Sequence, residues 1–172
     1  ETAESRFAGW TDIPLSEQGR AQSQAAGHLL EDVPVDVVFT SDLLRSWETA
    51  ELALSAAGKR GVPLFTAPAI RERDYGDLTG VPRDDAIQRF TEAQVRRWRR
   101  GFHERPPAVT ALRAARARVR PYHLVAQIAG ESMEDLRRRT APFLFQDVME
   151  RIAKGETVWI FGHGNGNRTV LA

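Results

Sequence analysis

The sequence predicts an α/β fold: a three-layer α/β/α arrangement with helices on both faces of a mostly parallel sheet. Two observations carry this expectation. Residues 35–40, 64–66 and 158–161 are short runs rich in β-branched and aromatic residues, and the first and last are almost wholly apolar, as in strands buried on both faces. Between them lie longer stretches with apolar residues at helical spacing, so strands alternate with helices.

Ser16 is a candidate N-cap for a first helix running to Glu31, with Gly19 as a weak point and Ala21, Ala25, Leu29 and Leu30 as its apolar stripe. Thr40 and Ser41 end the first strand. Residues 42–57 resume helical spacing through Leu43, Trp47, Ala50 and Leu54, and residues 58–63 break it before the second strand. A polar loop containing Gly76, Gly80 and Pro82 covers residues 71–83. Residues 84–102 then read as one helix with Ile87, Phe90, Val95 and Trp98 inward, ended by Pro106 and Pro107. Residues 108–130 are rich in Ala and Arg with weak periodicity, and an excursion over the surface fits them. Residues 131–152 are helical despite Pro142 and lead into a fully buried strand that ends at Gly162-His163-Gly164. No repeat or linker divides the chain, so residues 1–172 form one expected domain. Its polar opening without Met and its interrupted last helical pattern give the expectation that both ends are incomplete.

With 172 residues, 42% hydrophobic and 27% charged, the chain is long enough to bury a core. Lys and Arg number 24 against 23 Asp and Glu, a net charge of +1, so no global field favours nucleic acid or a membrane surface, and an anion site must be a local basic cluster. Cysteine is absent, which excludes disulfides and thiolate chemistry. No secretion signal opens the sequence and no apolar run could span a bilayer, so a soluble, cytoplasmic chain is expected.

Ligands of open parallel sheets gather at the carboxyl ends of the strands. Two such ends carry notable polar groups here: Thr40-Ser41 followed by Arg45, and His163-Gly164-Asn165. Arg45, one turn into its helix, can point back toward the helix N-terminus, where free N–H groups also favour an anion. His163 stands between two glycines that let backbone approach a ligand closely, and it reads either as a functional imidazole or as a turn residue. The loop from Ile70 to Gly76 alternates charges around Tyr75. It is either a solvated charge run or a site in which Glu72 serves as general acid or base. Arg96, Arg97, Arg99 and Arg100 surround Trp98: either the tryptophan is core and the arginines face solvent, or some of them clamp an anion. Arg113, Arg116, Arg118 and Arg120 read as a solvated face, and no spacing suggests a metal site.

Taken in order, these pieces resemble the phosphoglycerate mutase branch of the histidine phosphatases. They are the segment from Arg6 to Glu17 (RFAGWTDIPLSE), Thr40 to Arg45 (TSDLLR), Glu72 to Gly76 (ERDYG), Trp98 to Phe102 (WRRGF), Pro106-Pro107, Gly130-Glu131-Ser132 and Gly162 to Asn165 (GHGN). The resemblance covers nearly the whole chain and implies a phosphoglycerate mutase-like fold. It also implies interconversion of 2- and 3-phosphoglycerate through a phosphohistidine, primed by 2,3-bisphosphoglycerate without a metal.

By the same resemblance Arg45, Glu72 and His163 are catalytic. Arg45 and His163 form the phosphate pocket, and Glu72 gives and takes the proton. Arg99 and Arg100 hold the substrate carboxylate. Ala8, Gly9, Tyr75, Arg83 and Asn165 line the remainder, together with Arg73, Asp74 and Gly164 from the same motifs. Arg83 stands where lysine is usual, Ala8 where a hydroxyl residue is usual and Asp74 where histidine is common. The Arg-His-Gly-Glu motif that carries the nucleophilic histidine is not in this sequence, and Glu1-Thr2 fits its tail. The expected partners are a small phosphoglycerate and a second copy in a dimer, with no nucleic acid or membrane. A phosphomonoester phosphatase and a catalytically silent phospho-ligand binder are the alternatives.

Overall fold

In the computed structural model, which describes residues 6–109 and 130–170, Val37–Thr40 forms the central strand β1, and all 4 of its residues are buried. Alternate side chains face opposite ways along a strand. Val37 and Phe39 therefore pack with Ala67, Ile70, Phe143 and Val148 on one face, and Val38 packs with Ala50 and Leu54 on the other. Burial on both faces explains the continuous apolar run. Strand β2 (Leu64–Thr66) pairs parallel on one side, with Val38 opposite Leu64. Strand β3 (Val158–Phe161) pairs parallel on the other, with Val38 opposite Trp159, giving the order β2-β1-β3. Full burial was expected of β3, but its residues are only half-buried, because it is an outer strand among the three described.

Helix α2 (Leu44–Ala56) lies over the Val38 face, and α1 (Glu17–His28) packs against α2. Ser16 caps α1 by accepting from Gly19 N at 3.1 Å. The helix stops at His28 rather than Glu31, and its buried residues are Ser23 and Gly27, not the expected stripe; Leu29 is 84% exposed. The physical reason is the close approach to α2. A Cβ on Gly27 would come within 2.4 Å of the Ala53 carbonyl, so only small residues fit this seam.

The single helix expected over residues 84–102 is two: α3 (Arg83–Phe90) and α4 (Glu92–Arg100). Thr91 separates them at φ 73° and caps α4 through Gln94 N. The break lets both helices deliver apolar residues to one second core of Phe7, Tyr75, Leu78, Ala86, Val95 and Trp98, with the Phe90 and Trp98 rings 5.0 Å apart. On the Val37 face, α5 (Met133–Phe143) opens with a capping box between Ser132 and Asp135. Beyond Pro142, which has no N–H to donate, the helix widens into a π turn (Leu144–Val148) before α6 (Met149–Ala153). Helix α7 (Gly164–Val170) follows β3 directly. Residues 110–129, including the arginines from 113 to 120, lie outside the described residues. Among the described residues no helix is long and apolar enough to cross a membrane.

Candidate active site

Strands β1 and β3 run in register to Thr40 opposite Phe161, so the residues after them, Ser41 and His163, emerge together at the carboxyl end of the sheet. Ser41 Oγ lies 2.7 Å from His163 Nε2. Beside them Thr40 Oγ1 and Ser46 Oγ are 2.8 Å apart, and Ser46 Oγ donates to the Phe161 carbonyl at 2.9 Å. This buried ladder of hydroxyls ties α2 to both strand ends. His163 is 8% exposed. Burial pushes its pKa down to about 3, Arg45 and Arg139 add to the effect, and Asp42 opposes it. The imidazole is therefore neutral near pH 7.

Arg45 sits in the first turn of α2 and reaches back across the strand ends. Its Nη1 donates to the Thr11 carbonyl and its Nη2 to the Gly9 carbonyl, both at 2.8 Å. These bonds fix the loop around Gly9, whose φ of 50° suits glycine. Two of the five N–H groups of a guanidinium are used in this way, and the rest retain capacity for an anion. Burial lowers the Arg45 pKa, opposed by the nearby negative charges of Glu72 and Asp12. The N-terminus of α2, expected to favour a bound anion, already has one of the chain's own: Leu44 N donates to Asp12 Oδ1 at 2.6 Å.

Glu72 completes the cluster. Its Oε1 accepts from Arg73 N at 2.7 Å and from Asn165 Nδ2 at 3.0 Å, and the same amide nitrogen lies 3.0 Å from the Tyr75 hydroxyl. The surrounding loop is not a solvated charge run. Arg73 is 0% and Asp74 2% exposed, with Asp74 Oδ1 accepting from Gly76 N at 2.8 Å. Gly76, at φ 54°, packs so closely that a Cβ would meet the Pro107 carbonyl at 2.3 Å.

The structure thus joins Gly9, Arg45, Glu72, Tyr75, His163 and Asn165. Arg73 and Asp74 are placed behind the pocket, not on its lining: the Arg73 guanidinium lies 4.8 Å from the Tyr75 ring centroid and donates to the Trp98 carbonyl. Ala8 is half-buried and gives its carbonyl to Thr11 N at 2.9 Å, and Gly164 is exposed at the start of α7. Arg83 and Arg100 are exposed and Arg99 half-buried; among the described residues no hydrogen bond or ion pair joins them to the cluster. Trp98 is core, and Arg96, Arg97 and Arg100 border an open cleft of about 750 Å³.

Five residues around the site were given no role from the sequence. Ser41 was marked only as a polar residue at a strand end. Trp10, Arg71 and Glu131 stood only within motifs or the charged loop, and Arg139 in none, because their partners are remote in sequence. Asp42 pairs with Arg71, whose Nε lies 2.6 Å from Asp42 Oδ1. Among the described residues no group of three or more His, Cys, Asp or Glu could hold a metal ion.

The family description "Histidine phosphatase superfamily (branch 1)" matches residues 1–123. The chain belongs to the histidine phosphatase superfamily. A relative from Gloeobacter violaceus, named 2,3-bisphosphoglycerate-dependent phosphoglycerate mutase 2, is 35% identical over 168 residues, covering 98% of this chain and 67% of its own length. A Xanthobacter autotrophicus protein named 2,3-bisphosphoglycerate-dependent phosphoglycerate mutase is 36% identical over 167 residues, 96% of this chain and 70% of that one. Among solved structures, YhfR of Bacillus stearothermophilus superposes with a TM-score of 0.72 at 30% identity, covering 99% of this chain and 71% of the other. A mycobacterial glucosyl-3-phosphoglycerate phosphatase gives a TM-score of 0.73 at 24% identity, covering 100% and 72%, a likeness of fold alone. The chain is therefore an enzyme of the histidine phosphatase superfamily.

Proposed function

We propose that this histidine phosphatase is a phosphoglycerate mutase that interconverts 2- and 3-phosphoglycerate through a phosphohistidine, primed by 2,3-bisphosphoglycerate. The observation that carries the reading is the Asn165 amide, which ties Glu72 and Tyr75 to the turn bearing His163, so that an acid–base candidate and an anion pocket share one wall. The mutase names of relatives at about 35% identity support the choice of reaction.

In this mechanism Arg45 and His163 bind the phosphoryl group, and the dianion draws a proton onto the otherwise neutral imidazole. This reading assigns the phosphohistidine to no residue of this sequence; among the described residues, His163 is the histidine placed at the cluster. Glu72 protonates the ester oxygen as its bond to phosphorus breaks, then takes a proton from the incoming hydroxyl. Arg99 and Arg100 receive the substrate carboxylate, with Tyr75, Asn165, Arg83, Gly164 and the Ala8-Gly9 backbone around it. Positioning and charge neutralisation supply most of the rate, and no metal enters.

Phosphomonoester hydrolysis is the second reading, favoured by Ala8, which offers no hydroxyl to hold phosphate and loosens the pocket toward water. The two are separated by supplying 3-phosphoglycerate with catalytic 2,3-bisphosphoglycerate. Formation of 2-phosphoglycerate faster than release of inorganic phosphate supports the mutase, and the opposite ratio overturns it.

A further inference from the structure

Glu72 is gripped by its peptide as well as by its carboxylate. Its carbonyl oxygen accepts from Trp10 Nε1 at 2.5 Å and from Arg139 Nη2 at 3.3 Å. Arg139, on α5, is locked in place by further bonds. Its Nε and Nη2 meet the two carboxylate oxygens of Glu131 at 2.8 and 2.9 Å, and its Nη1 donates to the Ala69 carbonyl at 2.8 Å. Glu131, 3% exposed, also accepts from Asp74 N at 2.9 Å, on the other side of Glu72 in the chain. The guanidinium groups of Arg71 and Arg139 lie 4.9 and 5.4 Å from the Trp10 ring centroid, holding the indole edge toward the Glu72 carbonyl.

None of these bonds closes a helix or a strand. Helix α5 already has its cap at Ser132, and among the described residues the loop carrying Glu72 pairs with no strand. Side chains from two distant parts of the sequence, Trp10 and Arg139, instead converge on one peptide carbonyl.

We propose that Trp10 and Arg139 are positioning residues that clamp the Glu72 peptide and thereby aim its carboxyl group at the leaving oxygen of the bound phosphate ester. The inference rests on the reading of Glu72 as proton donor. When the P–O bond breaks, its electron pair goes to the ester oxygen, which takes the proton from the Glu72 carboxyl. The carboxylate is reprotonated by the hydroxyl or water that accepts the phosphoryl group. A displacement of the carboxyl by about 1 Å is enough to weaken such a transfer. Trp10 and Arg139 do not touch the substrate; they act through Glu72.

The test compares two phosphate esters in the full chain. An alkyl ester such as 3-phosphoglycerate needs its leaving oxygen protonated, whereas p-nitrophenyl phosphate does not. Trp10→Phe keeps the buried ring and its stacking but removes the N–H; Arg139→Lys keeps the charge but removes the fork. Each is expected to lose about tenfold or more in kcat on the alkyl ester, with KM within about twofold, and less than about twofold on p-nitrophenyl phosphate. Should Arg139→Lys fail to fold, Trp10→Phe alone decides. Equal losses on both esters, or no loss on either, overturn the clamp. Glu72→Gln separates the premise from the inference: a selective loss there without one in Trp10→Phe sinks only the clamp. An unaffected Glu72→Gln sinks the proton-donor reading and the clamp with it.

Discussion

Ser41 and His163 stand 122 positions apart in sequence, yet the serine hydroxyl oxygen lies 2.7 Å from the imidazole Nε2 in a buried pair. The contact exists because β1 and β3 are parallel neighbours whose carboxyl ends align. Ser41 Oγ also accepts from Leu43 N at 3.3 Å, so the hydroxyl is held where the imidazole needs it. Replacing Ser41 with Ala leaves the buried ring without this partner. The expected result is a loss of ~1 kcal/mol in urea unfolding and a roughly fivefold fall in kcat, the rate equivalent of one ordinary hydrogen bond. Unchanged turnover would show that the ring needs no help in holding its orientation.

The depressed pKa of His163 makes a prediction about stability. In the unfolded chain the imidazole takes up its proton as pH falls through about 6.5, while in the fold it stays neutral until about 3. The unfolded state therefore binds more protons in that window, and the fold loses stability as pH falls through it. Between about pH 7 and pH 5 the loss assigned to this group is roughly 2 kcal/mol. Denaturant unfolding of His163→Asn should show a shallower pH dependence over that range; identical slopes would mean that the ring is not buried in its neutral form.

Inorganic phosphate should bind between Arg45 and His163 and raise the melting temperature. Saturation at about a hundred times Kd adds ~2.7 kcal/mol, or roughly 5–10 °C for a domain of this size. Arg45→Met should abolish the phosphate-dependent part of that shift, whatever it does to the basal value. A shift that persists in the variant would place phosphate elsewhere.

Gly27 gives a test of packing alone. A Cβ there would sit 2.4 Å from the Ala53 carbonyl and 2.7 Å from the Ala56 side chain, so α1 and α2 must separate to admit it. Gly27→Ala should destabilise the protein by about 1–3 kcal/mol despite the better helix propensity of alanine. A stabilised variant would mean that the seam is looser than the structure shows.

Much of this molecule is legible in its sequence. The apolar run at Val37 to Phe39 marked a buried parallel strand because both sheet faces are covered there, and Ser16 marked a helix start because a hydroxyl before a helical stretch satisfies free N–H groups. Motifs at strand ends located Arg45 and His163, since a strand end fixes where the next residues emerge. What failed depended on neighbours. Ala21, Ala25 and Leu29 have the spacing of a buried stripe, but α1 turns Ser23 and Gly27 inward because α2 approaches too closely for larger residues. Residues 84–102 have continuous helical periodicity, but Thr91 breaks them because two short helices fill one core better.

The sequence by itself determined the strand–helix alternation and the residue types available for phosphate chemistry, because these follow from local periodicity and chain continuity. Only the tertiary structure decided that Asn165 bridges Glu72 and Tyr75, that Arg73 faces inward, and that Trp10 and Arg139 meet on the Glu72 carbonyl. Those contacts join residues that are strangers along the chain, and burial gives each polar group a reason to find whichever partner the fold brings near.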